Sequence, residues 1–222
     1  MKEVKITHGH RVVSQTQKAF NVWGIVLAVW AVYRATIGIE SSMYFDEIIL
    51  KPLHFIVPVL FYIKTFEHKT IAHGLWLDRK NIASHIRAAL LICAPVVLLY
   101  MIFLVFQRDQ VSWQSVVPLM IIALGMSVSE EVLSRGFVAR HIWEESSSAV
   151  KTVIQASVMH MFLRIPRIMT TATLFGNTLI LFVVGDLLIS IVLTVVFLWR
   201  KSLVPVIIIR FLYSYFLMSM LM

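Results

Sequence analysis

Two adjacent carboxyl groups and an arginine lie within one apolar stretch, in the segment SVSEEVLSRGF that begins at Ser127. Glu131 and Arg135 stand at i and i+4, so on a helix they share a face and can form an ion pair. Glu130 points about 100° away from Glu131 and has no cationic partner at helical spacing. It must find a partner elsewhere, find water or stay protonated, and such a carboxyl group can act as a general acid or base. Spacing alone leaves a catalytic and a structural role for Glu130 equally open.

His160, in the segment VIQASVMHMFLR, is the second candidate for chemistry. A lone histidine on an apolar helix is more often a packing residue than a ligand, but this one is the only histidine of the C-terminal apolar stretches. If it faces Glu130, the carboxylate and the imidazole can share one water molecule. One carboxylate and one histidine fall short of the three protein ligands of a catalytic zinc ion, and His54 is a weak third. We therefore expect no cofactor, and a divalent metal is disfavoured.

The composition of the chain excludes a water-soluble globule. Of 222 residues, 59% are hydrophobic and only 14% are charged, and the mean hydropathy is +0.84. Soluble domains average about 45–50% apolar and about 25% charged residues. The net charge of +8 is interpreted as basic loops that face an anionic membrane surface, so no nucleic-acid partner is expected.

Apolar stretches of membrane-spanning length recur along the chain, which predicts an all-α, polytopic transmembrane helix bundle. The sixth stretch is longer than the hydrocarbon core requires. It is either tilted, partly outside the bilayer, or broken near Gly185 and Asp186, so the bundle has seven or eight spans. The seven stretches cover residues 20–39, 48–66, 88–106, 116–139, 153–165, 173–199 and 203–222.

Charged residues also predict how the chain is organised and oriented. Lysines and arginines concentrate in the loops on the same side as the N-terminus, which predicts a cytoplasmic N-terminus in a multi-pass protein of the plasma membrane. This orientation places Lys51, Arg164 and Arg167 in outer loops or at outer helix ends. Ionisable residues within the spans are concentrated in the second half of the chain. We therefore divide the chain into N-terminal spans with basic cytoplasmic segments (1–112) and a catalytic core (113–222).

The segment SEEVLSRGFVARHIWE resembles the first motif, EExxxRGF, of the CPBP family of intramembrane proteases, which includes the CAAX prenyl endopeptidases. The family's second motif is FxxxH, and the corresponding segment here is ASVMH, with Ala156 in place of the phenylalanine and His160 at its end. The third motif is HxxxN. The segment FLWRKSLVPVIIIRFLYS places Arg210 at the histidine and Ser214 at the asparagine. The resemblance covers residues 116–214.

The resemblance implies a role for each matching residue. Glu130 would activate water, Glu131 and Arg135 would support it, and His160 would help to hold the water. Arg210 and Ser214 differ from the histidine and asparagine of the third motif, so the role of that region stays open.

Arg210 is the main departure, and three interpretations of it stay open. A guanidinium group has no acceptor and cannot bind a metal, but it can donate to a developing oxyanion. Ser214 would share its helix face and supply a second donor. Alternatively, Arg210 pairs permanently with Glu130 and the enzyme is inactive, or it snorkels to the membrane interface.

The leading hypothesis is an intramembrane glutamic-type endopeptidase that cleaves a membrane-embedded or lipidated substrate. The first alternative is a catalytically inactive family member that serves as a membrane scaffold or regulator, and the second is a proton-coupled transporter subunit. The position of Arg210 distinguishes the first two. If Glu130 and His160 meet across a wet cavity with Arg210 about one substrate carbonyl away, the endopeptidase is favoured. If Arg210 pairs closely with Glu130 and leaves no cavity, the scaffold is favoured.

Overall fold

The computed structural model describes residues 14–37, 42–77, 81–106, 116–170 and 176–221, and these residues form helices and connecting turns with no β-strand. The all-α prediction is confirmed. The helices are α1 (Gln15–Thr36), α2 (Met43–Thr65), α3 (Ile71–Gly74), α4 (Ile82–Phe106), α5 (Val116–Ser146), α6 (Ala149–Thr170), α7 (Gly176–Arg200) and α8 (Leu203–Leu221).

In its described part, each of the seven predicted stretches coincides with one long helix, while residues 38–39, 173–175 and 222 lie outside the described residues. Helices α1, α2, α4, α5 and α7 are long and apolar enough to cross a membrane. Helix α8 is apolar but shorter in its described part, and α6 carries Lys151, Arg164 and Arg167. Helix α7 runs without interruption through Gly185 and Asp186, so the predicted alternative of a break at these residues is wrong.

Side chains and turns at the helix ends explain several of the boundaries. The hydroxyl of Ser14 accepts a hydrogen bond from the backbone N–H of Gln17, and Ser42 does the same for Phe45. Serine at these positions satisfies N–H groups that have no partner within the helix. Ser147 and Lys201 adopt positive φ angles of 51° and 45° and so separate α5 from α6 and α7 from α8.

Helix α5 is the central helix of the described bundle. Of its most apolar stretch, 56% is buried, compared with 17–28% for the other four long apolar helices. Helix α8 packs against α4 and α5, α6 packs against α1 and α7, and α2 packs against α5. Helices α6 and α7 also contact α5. Ionisable side chains on the inner face of α5 are therefore surrounded by four other helices, α2, α6, α7 and α8.

Two π-helical segments lie beside the ionisable residues of the bundle. The first covers Asp46–Leu50 within α2 and the second covers Val132–Ala139 within α5. Gly125 of α5 faces the first segment, and a Cβ atom built on it would lie 2.6 Å from the backbone oxygen of Glu47. The absence of a side chain at Gly125 thus lets the two helix backbones approach closely. Since π-helical segments occur frequently at functional sites, their location directs attention to this part of the bundle.

Candidate active site

Glu130 lies at the centre of a buried ionic cluster, with only 2% of its surface exposed. Its Oε1 atom accepts a hydrogen bond of 2.7 Å from Lys51 Nζ, and its Oε2 atom accepts one of 2.9 Å from Arg210 Nη2. Arg164 Nη1 lies 3.5 Å from Oε2. Glu130 has no cationic partner at helical spacing on its own helix, but three cations from α2, α6 and α8 surround it in the bundle. Cations on both oxygens offset the large cost of burying the carboxylate.

The predicted ion pair between Glu131 and Arg135 is confirmed. Arg135 Nη1 lies 3.0 Å from Glu131 Oε1, and neither side chain is exposed. The same guanidinium group donates a hydrogen bond of 3.0 Å to the backbone oxygen of Ser190 and contacts His160 Nδ1 at 2.9 Å. Arg135 therefore connects α5 to α6 and α7.

His160 faces Glu130 from α6 and is fully buried. Guanidinium N–H groups only donate, and Arg135 contacts Nδ1 at a shorter distance than Arg210 contacts Nε2. We therefore assign Nδ1 as the acceptor and place the proton of a neutral ring on Nε2. The Ser134 hydroxyl lies 3.0 Å from the same Nδ1 atom. The Nε2 atom lies 3.9 Å from Glu130 Oε2 and 3.9 Å from Asp186 Oδ2. Its proton is therefore directed toward carboxylates that are too distant for a direct hydrogen bond.

Arg210 occupies the space between Glu130 and His160. Its Nη2 atom lies 2.9 Å from Glu130 Oε2 and 3.2 Å from His160 Nε2. Glu130 Oε2 and His160 Nε2 lie 3.9 Å apart. Two atoms at this separation can both contact one water molecule at about 2.8 Å. The terminal nitrogen of Arg210 takes the position of such a water. Since Arg210 has 0% exposure, the interpretation that it snorkels to the interface is wrong.

The contact between Arg210 and His160 brings together two hydrogen-bond donors. With its proton on Nε2, His160 cannot accept from Arg210, so this 3.2 Å approach is a contact without a hydrogen bond. Water or a carbonyl oxygen in the same position would accept from His160. The position thus suits an oxygen atom better than it suits a guanidinium nitrogen.

Asp186 completes the cluster from α7. Its Oδ1 atom accepts from both terminal nitrogens of Arg210 at 3.1 Å and from Arg164 Nη1 at 3.0 Å. Asp186 thus binds cations from α6 and α8, and the helix that carries it does not break here. The signal that could have identified Asp186 is an acidic residue within a strongly apolar stretch, which is costly unless it has a partner or a function.

Residues 112–216, which carry most of this cluster, match the family model described as "Type II CAAX prenyl endopeptidase Rce1-like". This part of the chain therefore resembles the CPBP family of CAAX-type membrane proteases, and we call residues 112–216 the CPBP segment. No curated protein and no solved structure matches the chain. The CPBP segment contains Glu130, Glu131, Arg135, His160 and Arg210, which the structure brings together.

Ser214, the remaining predicted residue of the CPBP core, is buried. It has 1% exposure, and its Oγ atom has no hydrogen-bond partner among the residues that the structure describes. A role as second donor to substrate stays a prediction. His54, the weak candidate ligand, contacts the backbone oxygen of Leu50 and stacks on Tyr33.

Within the described ranges, no group of three His, Cys, Asp or Glu side chains is arranged to hold a metal ion. The nearest groups to Glu130 are the N–H donors of Lys51, Arg164 and Arg210, and protonated donors do not bind metals. The residues present therefore do not fit a metal centre.

Charged residues outside the CPBP segment also belong to the cluster. Lys51 Nζ lies 2.8 Å from Glu47 Oε2, and Arg167 Nη1 lies 2.6 Å from Glu47 Oε1. Lys51 and Arg164, which the predicted orientation places in outer loops or at outer helix ends, are only 3% and 7% exposed within the bundle. Sequence spacing could have identified the i, i+4 pair of Lys51 with Glu47. It could not have found the contact of Lys51 with Glu130, because these two residues are distant along the chain.

A second ionic cluster surrounds Glu67, just beyond the end of α2. Glu67 Oε1 lies 2.5 Å from Arg140 Nη2 and 2.9 Å from His141 Nε2, and Lys69 Nζ lies 3.2 Å from Oε2. Burial alone would raise the pKa of Glu67. The hydrogen bonds from His141 and Arg140 outweigh that effect and lower the pKa to about 2. This cluster anchors the loop after α2 to α5.

Proposed function

We propose that this chain is an intramembrane endopeptidase that hydrolyses a peptide bond of a membrane-embedded or lipidated substrate with water activated by Glu130. The observation that carries the proposal is the 3.9 Å separation between Glu130 Oε2 and His160 Nε2. A carboxylate and an imidazole at this separation can hold one water between them, and both lie in the CPBP segment. The surrounding cations keep the carboxylate ionised, as a general base must be.

The proposed reaction needs only groups that are present at this position. The water donates a hydrogen bond to Glu130 Oε2 and accepts one from His160 Nε2. As the oxygen of the water bonds to the carbonyl carbon of the substrate, Glu130 takes one proton from the water. Glu130 then returns the proton to the amide nitrogen, the C–N bond breaks as the carbonyl re-forms, and a carboxylic acid and an amine leave, which ionise to a carboxylate and an ammonium group. One water is consumed, and Glu130 is regenerated.

Arg210 must leave the position between Glu130 and His160 before water can enter. Asp186 can retain the guanidinium group, because it accepts from both terminal nitrogens of Arg210. The displaced N–H groups can donate to the substrate carbonyl oxygen as negative charge develops there. Charged donors held in place before reaction stabilise such an oxyanion effectively. On this proposal, the structure represents the closed, resting arrangement of the site.

A second candidate is a proteolytically inactive CPBP-type scaffold. The observation that favours it is the same 2.9 Å ion pair between Arg210 and Glu130, which excludes water from Glu130 for as long as it persists. In this case the ionic cluster would serve only to hold the helices together. The two candidates differ in whether Arg210 moves.

A proteolysis assay distinguishes these candidates. The purified full-length protein is incubated with a panel of membrane peptides, including prenylated ones, and the products are identified by mass spectrometry. The endopeptidase proposal expects cleavage by the wild type and a loss of about 100-fold or more in His160→Ala, the usual range for a catalytic proton-transfer group. No cleavage by the wild type but cleavage by Arg210→His would favour the inactive scaffold.

We also propose that the chain is a multi-pass protein of the plasma membrane with a cytoplasmic N-terminus. The distribution of lysines and arginines among the loops supports this orientation. Its partners would be the lipid bilayer and the membrane-bound substrate.

A further inference from the structure

Lys51 is a buried cation that the CPBP segment does not contain. It directly follows the π-helical segment of α2, and only 3% of its side chain is exposed. Its ammonium group contacts Glu130 Oε1 at 2.7 Å and Glu47 Oε2 at 2.8 Å. The rings of Trp30 and Phe55 each lie with their centroids 5.8 Å from Nζ. A lysine buried in this way depends on its two carboxylates, so its position is tightly defined.

The contact from Lys51 makes the two oxygens of Glu130 different from each other. A free carboxylate can rotate and exchange its oxygens, because its terminal torsion has a broad, two-fold preference. Lys51 engages Oε1, whereas Oε2 is the oxygen that lies 3.9 Å from His160. Lys51 therefore fixes the rotation of the carboxylate group, so that the oxygen not bound by Lys51 faces the imidazole.

The neighbours of Lys51 hold it in place. Glu47 is bound on its other oxygen by Arg167, and the backbone of Glu47 lies directly against Gly125 of α5. Helix α2 is thus held against α5 one turn before Glu130. The N-terminal half of the chain contributes a rigid contact to the carboxylate of the CPBP core.

We propose that Lys51 is a positioning residue for Glu130: it holds Oε1 so that Oε2 is presented to the water and to His160. This inference rests on the proposed endopeptidase function. It assigns to the N-terminal spans a direct part in the reaction, through a side chain that does not itself touch the substrate.

Steady-state kinetics of the purified full-length protein test this inference. Lys51→Met keeps a side chain of similar length without the charge, Lys51→Arg keeps the charge, and Lys64→Met is a control on the exposed side of the same helix. We expect Lys51→Met to lower kcat about 10-fold or more at a KM within about two-fold of the wild type, as for a group that acts in the transition state. Lys51→Arg should recover most of the loss, and Lys64→Met should be unchanged. A normal kcat per folded molecule in Lys51→Met would overturn the inference.

A second measurement keeps the inference testable if the wild type cleaves nothing, a result that counts against the proposed function. A hydrophobic carbodiimide labels carboxyl groups in membrane proteins, and the label on Glu130 is quantified by peptide mass spectrometry. If Lys51 holds Oε1, labelling should rise several-fold in Lys51→Met and stay low in Lys51→Arg and Lys64→Met. Equal labelling of Glu130 in all four proteins would overturn the positioning role.

Discussion

Arg210 Nη2 and Glu130 Oε2 form a 2.9 Å ion pair in the buried centre of the bundle. The same nitrogen lies 3.2 Å from His160 Nε2, where a water shared by the two predicted catalytic groups would lie. The chemistry of the site therefore depends on whether this nitrogen can be exchanged for an oxygen atom.

Substitutions of Arg210 report on its role directly. Arg210→Met should lower kcat about 100-fold or more, because it removes a charged donor to the oxyanion. Arg210→His should keep measurable activity, since it restores the residue of the third motif and a donor at the same place. Cleavage rates of the two purified variants check this. If Arg210→His were faster than the wild type, the arginine would be an obstacle and not a donor.

Breaking the ion pair between Glu131 and Arg135 should destabilise the bundle. Arg135→Met leaves the buried Glu131 carboxylate without its cation, which typically costs about 3–5 kcal/mol. Thermal unfolding of the detergent-solubilised protein measures the effect. Glu144→Gln, which alters a side chain with 39% exposure, is the control and should unfold near the wild-type temperature. Equal unfolding temperatures for both variants would contradict the structural role of the pair.

Gly125→Ala should weaken the contact between α2 and α5. The added Cβ atom would lie 2.6 Å from the backbone oxygen of Glu47, so one backbone must shift, at a cost of about 1–3 kcal/mol. Gly24→Ala is the matched control, because a Cβ atom there meets nothing within 4 Å and alanine favours helices. Unfolding temperatures of the two variants are compared. If the unfolding temperature fell as much in Gly24→Ala as in Gly125→Ala, the close approach of the two helix backbones would be unimportant for stability.

Acid should remove the stabilising effect of Glu67. Its pKa in the folded protein is about 2, compared with an ordinary value of 4.5. The unfolded chain therefore binds more protons between these values, and the stability is present above pH 4.5 and lost as the pH falls toward 2. The difference in unfolding temperature between the wild type and Glu67→Gln should shrink over that interval. A difference that does not depend on pH would contradict the ionised pairing of Glu67.

Local patterns in the sequence predicted the helices and the short-range ion pair. Apolar stretches locate the seven long helices, and i, i+4 spacing identifies the contact between Glu131 and Arg135 because both residues lie on one helix. The contact of Lys51 with Glu130 and the contacts of Asp186 with Arg164 and Arg210 join separate helices. No local pattern encodes which buried charges meet, since the packing of α2, α6, α7 and α8 on α5 determines it. The CPBP motifs aligned Arg210 with the third motif, but only the structure shows that its nitrogen lies between Glu130 and His160.

Cleavage by Glu130→Gln is the most direct test of the proposed mechanism. Glutamine has nearly the shape of glutamate but cannot accept the proton of a water at neutral pH. With the membrane peptide that the wild type cleaves fastest, we expect Glu130→Gln to lose about 100-fold or more of the wild-type rate while it stays folded and inserted in the membrane. Cleavage at the wild-type rate by folded Glu130→Gln would contradict the assignment of Glu130 as the base.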